Sequence, residues 1–239
     1  MIRVQVLTSA QELARAASWF IQHKLLEASR KRGRVLLALS GGSTPLPVYK
    51  RLAKLALPWN NLHLFWGDER CVPPDHQNSN FGNACRALID RVPIPEANVH
   101  RIQGELEPAE AAESYEHDLR QFFGPEPPSM DLVLLGMGAD GHTASLFPGG
   151  PELEEYQRWV VGSVPPQGIE PDVPRVTCTF PVFNAARSVL FLVAGADKRP
   201  ATSRILRVLG NGRELPAGRV RPKGELAWFL DSDAAPGVS

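Results

Sequence analysis

The sequence predicts an α/β fold: a doubly wound, mainly parallel sheet flanked by helices on both faces (Rossmann-like), in a single domain. Three observations carry this expectation. Short, unbroken apolar runs such as Val35-Leu-Leu-Ala-Leu39 read as strands covered on both faces. Segments with apolar residues at helical spacing alternate with those runs, the pattern of a parallel sheet. The chain has 239 residues, a length that suits one large domain burying roughly 70–75% of its unfolded surface.

The elements follow in order. Residues 4–7 read as a first strand. Ser9-Ala-Gln-Glu12 is a capping box, in which the Ser oxygen and the Glu carboxylate satisfy orphan amides. Leu13, Ala17, Phe20, Ile21 and Leu25 then recur at helical spacing, and Arg30-Lys31-Arg32-Gly33 ends the helix with basic charge and a C′ glycine. After the strand 35–39 come a glycine turn, a helix over about 45–57 and a strand over 62–66. A helix is expected over 80–90, and another around Ala111, Tyr115, Leu119 and Phe122, stopped by Gly124-Pro125. Residues 131–135 form a second buried-strand run.

The stretch 147–174 is rich in Pro and Gly and holds one short strand, about 159–162. A long irregular segment inside a compact chain reads as a functional loop. Strands are expected over 175–180, 188–194 and 226–231, with a helix about 198–209. The domain should span residues 1–231, leaving 232–239 as a frayed tail.

Composition narrows the function. Lys plus Arg and Asp plus Glu both number 26, so there is no global basic footprint for nucleic acid. Cys71, Cys85 and Cys178 are odd in number and far apart, which suits a reduced, cytoplasmic chain. No apolar run approaches the roughly 18 residues of a membrane span, and Met1-Ile-Arg-Val-Gln-Val6 lacks the layout of a signal peptide. His23, His63, His76, His100 and His117 show no metal-ligand spacing, so no metal site is expected.

Parallel sheets bind ligands beyond the carboxyl ends of their strands, and the most unusual local sequences lie there. The first is Leu39-Ser-Gly-Gly-Ser-Thr-Pro45. Gly41 and Gly42 allow a tight turn with amides close to an anion, Ser43 or Thr44 can cap the next helix, and Pro45 suits its first position. No Gly-Lys-Ser/Thr follows, so it is not a Walker loop. An ordinary tight turn is the plainer reading, and Ala38-Leu-Ser40-Gly-Gly42 also loosely fits a nucleophile elbow.

The second is Gly67-Asp68-Glu69-Arg70, with Asn80 downstream. Two carboxylates and a guanidinium at a strand end serve either as acid–base groups and an anion clamp or as a solvated ion pair. Adjacent Cys71 reads as a small buried residue rather than a nucleophile.

The third is Gly136-Met-Gly-Ala-Asp140-Gly-His142-Thr-Ala-Ser-Leu-Phe-Pro148. Its glycines satisfy G-x-G-x-x-G, but the ribose-binding acid expected about 20 residues later is missing. Asp140 two residues before His142 can hold one ring nitrogen and leave the other free as a base. Arg175 and Lys198, near strand ends further on, could reach a shared phosphate or simply face water.

Together these motifs, with Pro174-Arg-Val-Thr177 and Gly195-Ala-Asp-Lys198, resemble the 6-phosphogluconolactonases. The resemblance implies hydrolysis of 6-phosphoglucono-δ-lactone, a small phosphosugar lactone, to 6-phosphogluconate in the oxidative pentose phosphate pathway. It implies no metal, cofactor or covalent nucleophile. Gly41, Gly42, Ser43 and Thr44 would hold the phosphate with Arg175 and Lys198. His142 would be the base, Asp140 its orienting partner and Arg70 the oxyanion donor, with Asp68 and Asn80 supporting the pocket. The glucosamine-6-phosphate deaminases share the phosphate loop and the Asp-Gly-His turn. They carry Phe-Asn-Glu-Pro where this chain has Ser145-Leu-Phe147-Pro148, so their ring-opening acid is replaced. A sugar-phosphate sensor is a further alternative, although no basic helical module accompanies the motifs.

Overall fold

The unbroken apolar runs become the middle of a sheet. The computed structural model describes residues 2–207 and 214–237. Its strands are β1 (Ile2–Leu7), β2 (Val35–Leu39), β3 (Leu62–Trp66), β4 (Asp68–Arg70), β5 (Leu132–Leu135), β6 (Val160–Ser163), β7 (Arg175–Cys178), β8 (Ser188–Val193) and β9 (Glu225–Asp231). Six of them pair in the order β1-β9-β8-β5-β2-β3, every pair parallel. Every residue of β2, β5 and β8 is buried, as expected of strands covered on both faces.

The helices are α1 (Ala10–Arg32), α2 (Leu46–Leu52), α3 (Asn80–Ala87), α4 (Pro108–Phe123), α5 (Phe180–Ala185), α6 (Arg199–Arg207) and α7 (Pro216–Arg219). Helix α1 packs across β1, β9, β5 and β2, burying Leu13, Ala17, Ile21 and Leu25. Its N-cap forms as expected, with Ser9 Oγ accepting from Glu12 N at 3.2 Å. The reciprocal half of the capping box is replaced, because the Glu12 carboxylate pairs with Arg15 one turn on. Gly33, at φ +74°, donates its N–H to Ser29 O and ends the helix.

Several boundaries move for local reasons. Helix α2 stops at Leu52 rather than 57, where Lys54 N and Leu55 N bond to Arg51 O and Leu52 O in tighter turns. Helix α3 gives way at Leu88 to a 3₁₀ turn, Ile89–Arg91. The short α5 and α7 had no periodic signal long enough to read. For the helix expected to 209, residues 208–209 lie outside the described residues, as do 238–239 of the expected tail. The rest of that tail is not loose throughout: Ala234 and Ala235 are buried, and the Ala234 carbonyl accepts from Thr202 Oγ1.

The larger correction concerns residues 68–70 and 175–180. The first read as a strand-end turn and the second as a further strand alongside the others. They pair instead in a small antiparallel sheet, β4-β7-β6, with Asp68 opposite Thr177 and Arg70 opposite Arg175. Three consecutive charged residues carry no strand pattern, and their partner lies far along the chain. Gly67 is the junction: its N–H donates to Leu39 O in the large sheet, and its carbonyl accepts from Cys178 N in the small one.

At the β3 edge, His63 and His100 meet, Nδ1 to Nε2 at 3.0 Å, with His100 stacked on Phe65. Burial lowers both imidazoles from their ordinary value of 6.5, and His63 falls to about 4, helped down by His100 and Arg34. The unfolded chain therefore binds protons that the native pair refuses. Stability held above pH 6.5 should be lost as the pH falls towards 4. Denaturant unfolding across that window should show it, and His100→Phe should flatten the dependence.

Candidate active site

Four loops at the carboxyl ends of β2, β3, β5 and β8 surround one cleft of about 200 Å³. Each loop is fixed by bonds that its own residues supply.

The loop after β2 is pinned at its start by Tyr49 of α2. The Tyr49 hydroxyl accepts from Ser40 N at 3.0 Å and donates to Ser40 O at 2.7 Å. Gly42 adopts φ +89°, a conformation that favours glycine. A Cβ on Gly41 would sit 1.8 Å from Asn80 Oδ1, so the loop and α3 can approach this closely only with glycine there. The expected side-chain cap from Ser43 or Thr44 is absent. Pro45 occupies the N-cap position, and neither hydroxyl caps α2.

The small sheet delivers the charges. Along β4, alternate side chains share a face, and both Asp68 and Arg70 line the cleft. Asp68 Oδ2 accepts from Ser145 Oγ at 2.8 Å, and its carbonyl accepts from Asn80 Nδ2 at 2.9 Å. Between them Glu69 turns away. It gathers the amides of Arg70, Asn80 and Phe81 and the Ser79 hydroxyl at 2.7–3.1 Å, which ties the N-terminus of α3 to β4. Burial pushes the Glu69 carboxyl up, against the pull of those backbone donors.

Arg70 and Arg175 stand directly opposite in register, and both line the cleft. Like charges so placed repel. Burial, then Arg70, pulls the Arg175 guanidinium below its ordinary range, with Asp68 opposing. Arg70 Nη1 donates to Asn78 O and Arg175 Nη2 to Pro171 O, yet the buried Nε of each finds no partner among the described residues. Two guanidiniums lining one cleft are the kind of donor set that suits an anion.

The turn after β5 holds the His142–Asp140 pair. His142 Nδ1 lies 2.6 Å from Asp140 Oδ1, which also accepts from His142 N at 3.1 Å. Burial raises the Asp140 carboxyl, but the bonds and charge of His142 outweigh it and hold the group below its usual range. With Nδ1 engaged, Nε2 is the nitrogen left for chemistry. Gly138 N donates to His142 O, Gly141 N to Gly138 O, and Thr143 Oγ1 to Gly136 O, which closes the turn. A Cβ on Gly138 would lie 2.1 Å from His142 Nδ1 and 2.5 Å from Asp140 Oδ1. Gly138 is thus explained by the space the His–Asp pair occupies rather than by a dinucleotide.

Lys198 closes the cleft from the loop after β8, its Nζ 2.9 Å from Asp197 Oδ2. The structure therefore brings His142, Asp68, Arg70, Gly41, Gly42, Ser43, Thr44, Arg175 and Lys198 to the cleft wall. Asp140 and Asn80 stand one layer behind, in contact with His142 and Asp68. Sequence reasoning missed Tyr49, Glu69 and Ser145 as organisers. Glu69 and Ser145 stood inside the motifs but carried no signal of their partners. Burial pushes the Cys71 thiol up to about 11, with Glu69 adding to it, so it is no thiolate at neutral pH. Among the described residues no three metal-ligating side chains converge, and no helix is long and apolar enough to cross a membrane.

Fold and cleft together define an α/β protein that sets a histidine–aspartate pair beside two arginines in one cleft. A family model described as glucosamine-6-phosphate isomerases/6-phosphogluconolactonase matches residues 8–228. A 6-phosphogluconolactonase of Synechocystis sp. is 44% identical over 236 residues, 97% of this chain and 96% of that one. The human 6-phosphogluconolactonase is 41% identical over 242 residues, 97% of this chain and 92% of its own. The crystal structure of a 6-phosphogluconolactonase from Thermotoga maritima superposes with a TM-score of 0.87 at 35% identity, covering 97% of this chain and all of that one. The chain belongs to the glucosamine-6-phosphate isomerase/6-phosphogluconolactonase family.

The glycines of the catalytic turn offer a direct check. Gly138→Ala should destabilise the fold by about 1–3 kcal/mol, the usual result of overpacking, and abolish the low-field NMR signal of the His142–Asp140 proton. A Cβ on Gly136 would meet nothing within 4 Å, so Gly136→Ala should stay within about 0.5 kcal/mol of the parent.

Proposed function

We infer that the cleft hydrolyses 6-phospho-D-glucono-1,5-lactone to 6-phospho-D-gluconate. The observation that carries this reading is the His142–Asp140 pair, with one imidazole nitrogen held and the other left for proton transfer, beside an arginine pair with unspent donors. The names of the relatives support the substrate class.

Gly41, Gly42, Ser43, Thr44, Arg175 and Lys198 hold the 6-phosphate, which fixes the lactone carbonyl at a set distance from the turn. His142 Nε2 takes a proton from water as the water oxygen bonds to C1. Negative charge then collects on the carbonyl oxygen, where Arg70 donates to it. When the C1–ring oxygen bond breaks, the imidazolium returns its proton to the departing ring oxygen. Asp140 keeps the imidazole in one tautomer throughout and stabilises its charged form. Asp68, held by Ser145 and Asn80, shapes the floor between the phosphate loop and Arg70.

A second reading, deamination of glucosamine 6-phosphate, needs an acid beside the histidine. Phe147, in the position the deaminases give to that acid, is buried with its ring centroid 4.8 Å from the His142 imidazole. That contact favours the lactonase. Work in the cytoplasm, as the cysteine usage suggested, belongs to the same proposal.

Release of 6-phosphogluconate from fresh lactone, with the spontaneous rate subtracted, should be well above background, and glucosamine 6-phosphate should yield no ammonia. His142→Ala should fold and lose about 10²–10⁴-fold in kcat, the scale of acid–base help; near-parental turnover would remove the base assignment. Joint replacement of Thr44 and Lys198 by alanine should raise KM at least about tenfold, equivalent to losing one or two hydrogen bonds to a charged group. An unchanged KM would remove the phosphate site.

A further inference from the structure

We propose that Phe147 is a positioning residue, a rigid aromatic platform that sets the His142 imidazole and the Arg175 guanidinium at a fixed separation. The inference rests on the reading of His142 as the base, and it accounts for an otherwise unexplained knot of structure just after the catalytic turn.

The knot begins at Ala144, which adopts φ +49°, the left-handed region that side chains other than glycine rarely enter. Such a conformation persists only where its surroundings over-determine it. Here the next residue supplies the restraint. Ser145 is fully buried and uses all three of its polar groups on the small sheet. Its hydroxyl donates to Asp68 Oδ2 at 2.8 Å, its N–H to Thr177 Oγ1 at 3.3 Å, and its carbonyl accepts from Ser163 Oγ at 2.8 Å. Leu146 N closes a tight turn on Thr143 O. The chain that leaves this knot delivers Phe147 in one place.

Two groups of the site rest on its ring. The His142 imidazole lies at 4.8 Å between centroids, tilted by 54°. The Arg175 guanidinium carbon lies 5.5 Å from the same centroid. Each group needs what the ring provides. The hydrogen bond from Nδ1 to Asp140 fixes one edge of the imidazole but leaves a swivel about that bond, and a swivel would sweep Nε2 away from the attacking water. Packing against a flat, rigid ring removes that freedom. Among the described residues Arg175 has one side-chain hydrogen bond, from Nη2, with Nε unpaired and Arg70 repelling it from the opposite strand. A ring face, negative in its electrostatics, holds the planar cation without consuming a donor. The base and the anion clamp therefore share one support, and the distance between them does not depend on the exposed loops.

The test compares Phe147→Leu with Phe147→Met, the second a flexible side chain that fills irregular gaps without a flat face. Where the leucine variant fails to melt cooperatively, the methionine variant decides. Expected are a fall in kcat of about 10- to 100-fold, the scale of a misplaced catalytic group, and a several-fold rise in KM. In substrate-free protein, the ¹⁵N signals of the His142 imidazole, assigned from their loss in His142→Gln, should shift or broaden while the other histidines stay put. Affinity for inorganic phosphate should fall several-fold. A folded methionine variant with parental kcat, KM, His142 signals and phosphate affinity would overturn the proposal. Because the NMR and phosphate measurements need no turnover, they stand apart from the lactonase reading, which His142→Ala tests by itself.

Discussion

The site depends on a change of sheet at Gly67. Strand β3 runs in register with β2 as far as Trp66, and one residue later the chain pairs with β7 instead. Gly67 spans both, its N–H bonded to Leu39 O and its carbonyl to Cys178 N. The cleft positions of Asp68, Arg70 and Arg175 follow from that step. Had β3 continued in the large sheet, Asp68 and Arg70 would have projected from its two-sided apolar layers. Diverted into the small sheet, they stand across the carboxyl ends of β2 and β5, where loop backbone and the His142 turn already converge.

The division of labour between the sheets has an electrostatic logic. The loops of the parallel sheet contribute mostly backbone, with the His142 imidazole and Lys198. The antiparallel sheet contributes Asp68, Arg70 and Arg175, and it can hold them because their neighbours absorb the cost. Glu69 is satisfied by four donors, Asp68 by Ser145 and Asn80, and each guanidinium by one carbonyl. What is left over is deliberate in effect: unspent Nε donors and unrelieved repulsion between two cations.

How much of this was legible in the sequence depends on whether a residue's partner is near or far. The buried strands β2, β5 and β8 announce themselves by unbroken apolar runs, and α1 by its period, its Ser9 cap and its closing Gly33. The His142–Asp140 contact was readable because two residues of separation leave little choice of partner. Strand β4 was not, since Asp-Glu-Arg becomes a strand only through pairing with Arg175–Cys178. The same holds for Ser145, whose three partners lie on three different strands, and for His63 with His100. Local rules also misjudged the cap of α2. Ser43 and Thr44 had the right chemistry, but Pro45 took the position, leaving the loop beside the cleft rather than folded into the helix.

Gly138 and Phe147 show how a shared scaffold can be committed to one chemistry by groups that transfer no proton. Gly138 makes room: any side chain there would occupy the volume of the His142–Asp140 hydrogen bond. Phe147 fills room, and in filling it denies the imidazole a second acidic neighbour. A histidine with one carboxylate partner and one free nitrogen is suited to moving a single proton from water to a leaving oxygen. The same histidine with a second carboxylate beside it would be suited to opening a sugar ring. Phe147 stands on a segment whose course is set by the Ser145 bonds to the small sheet. On the proposed reading, the choice of reaction is therefore made behind the imidazole, in the packing against its face.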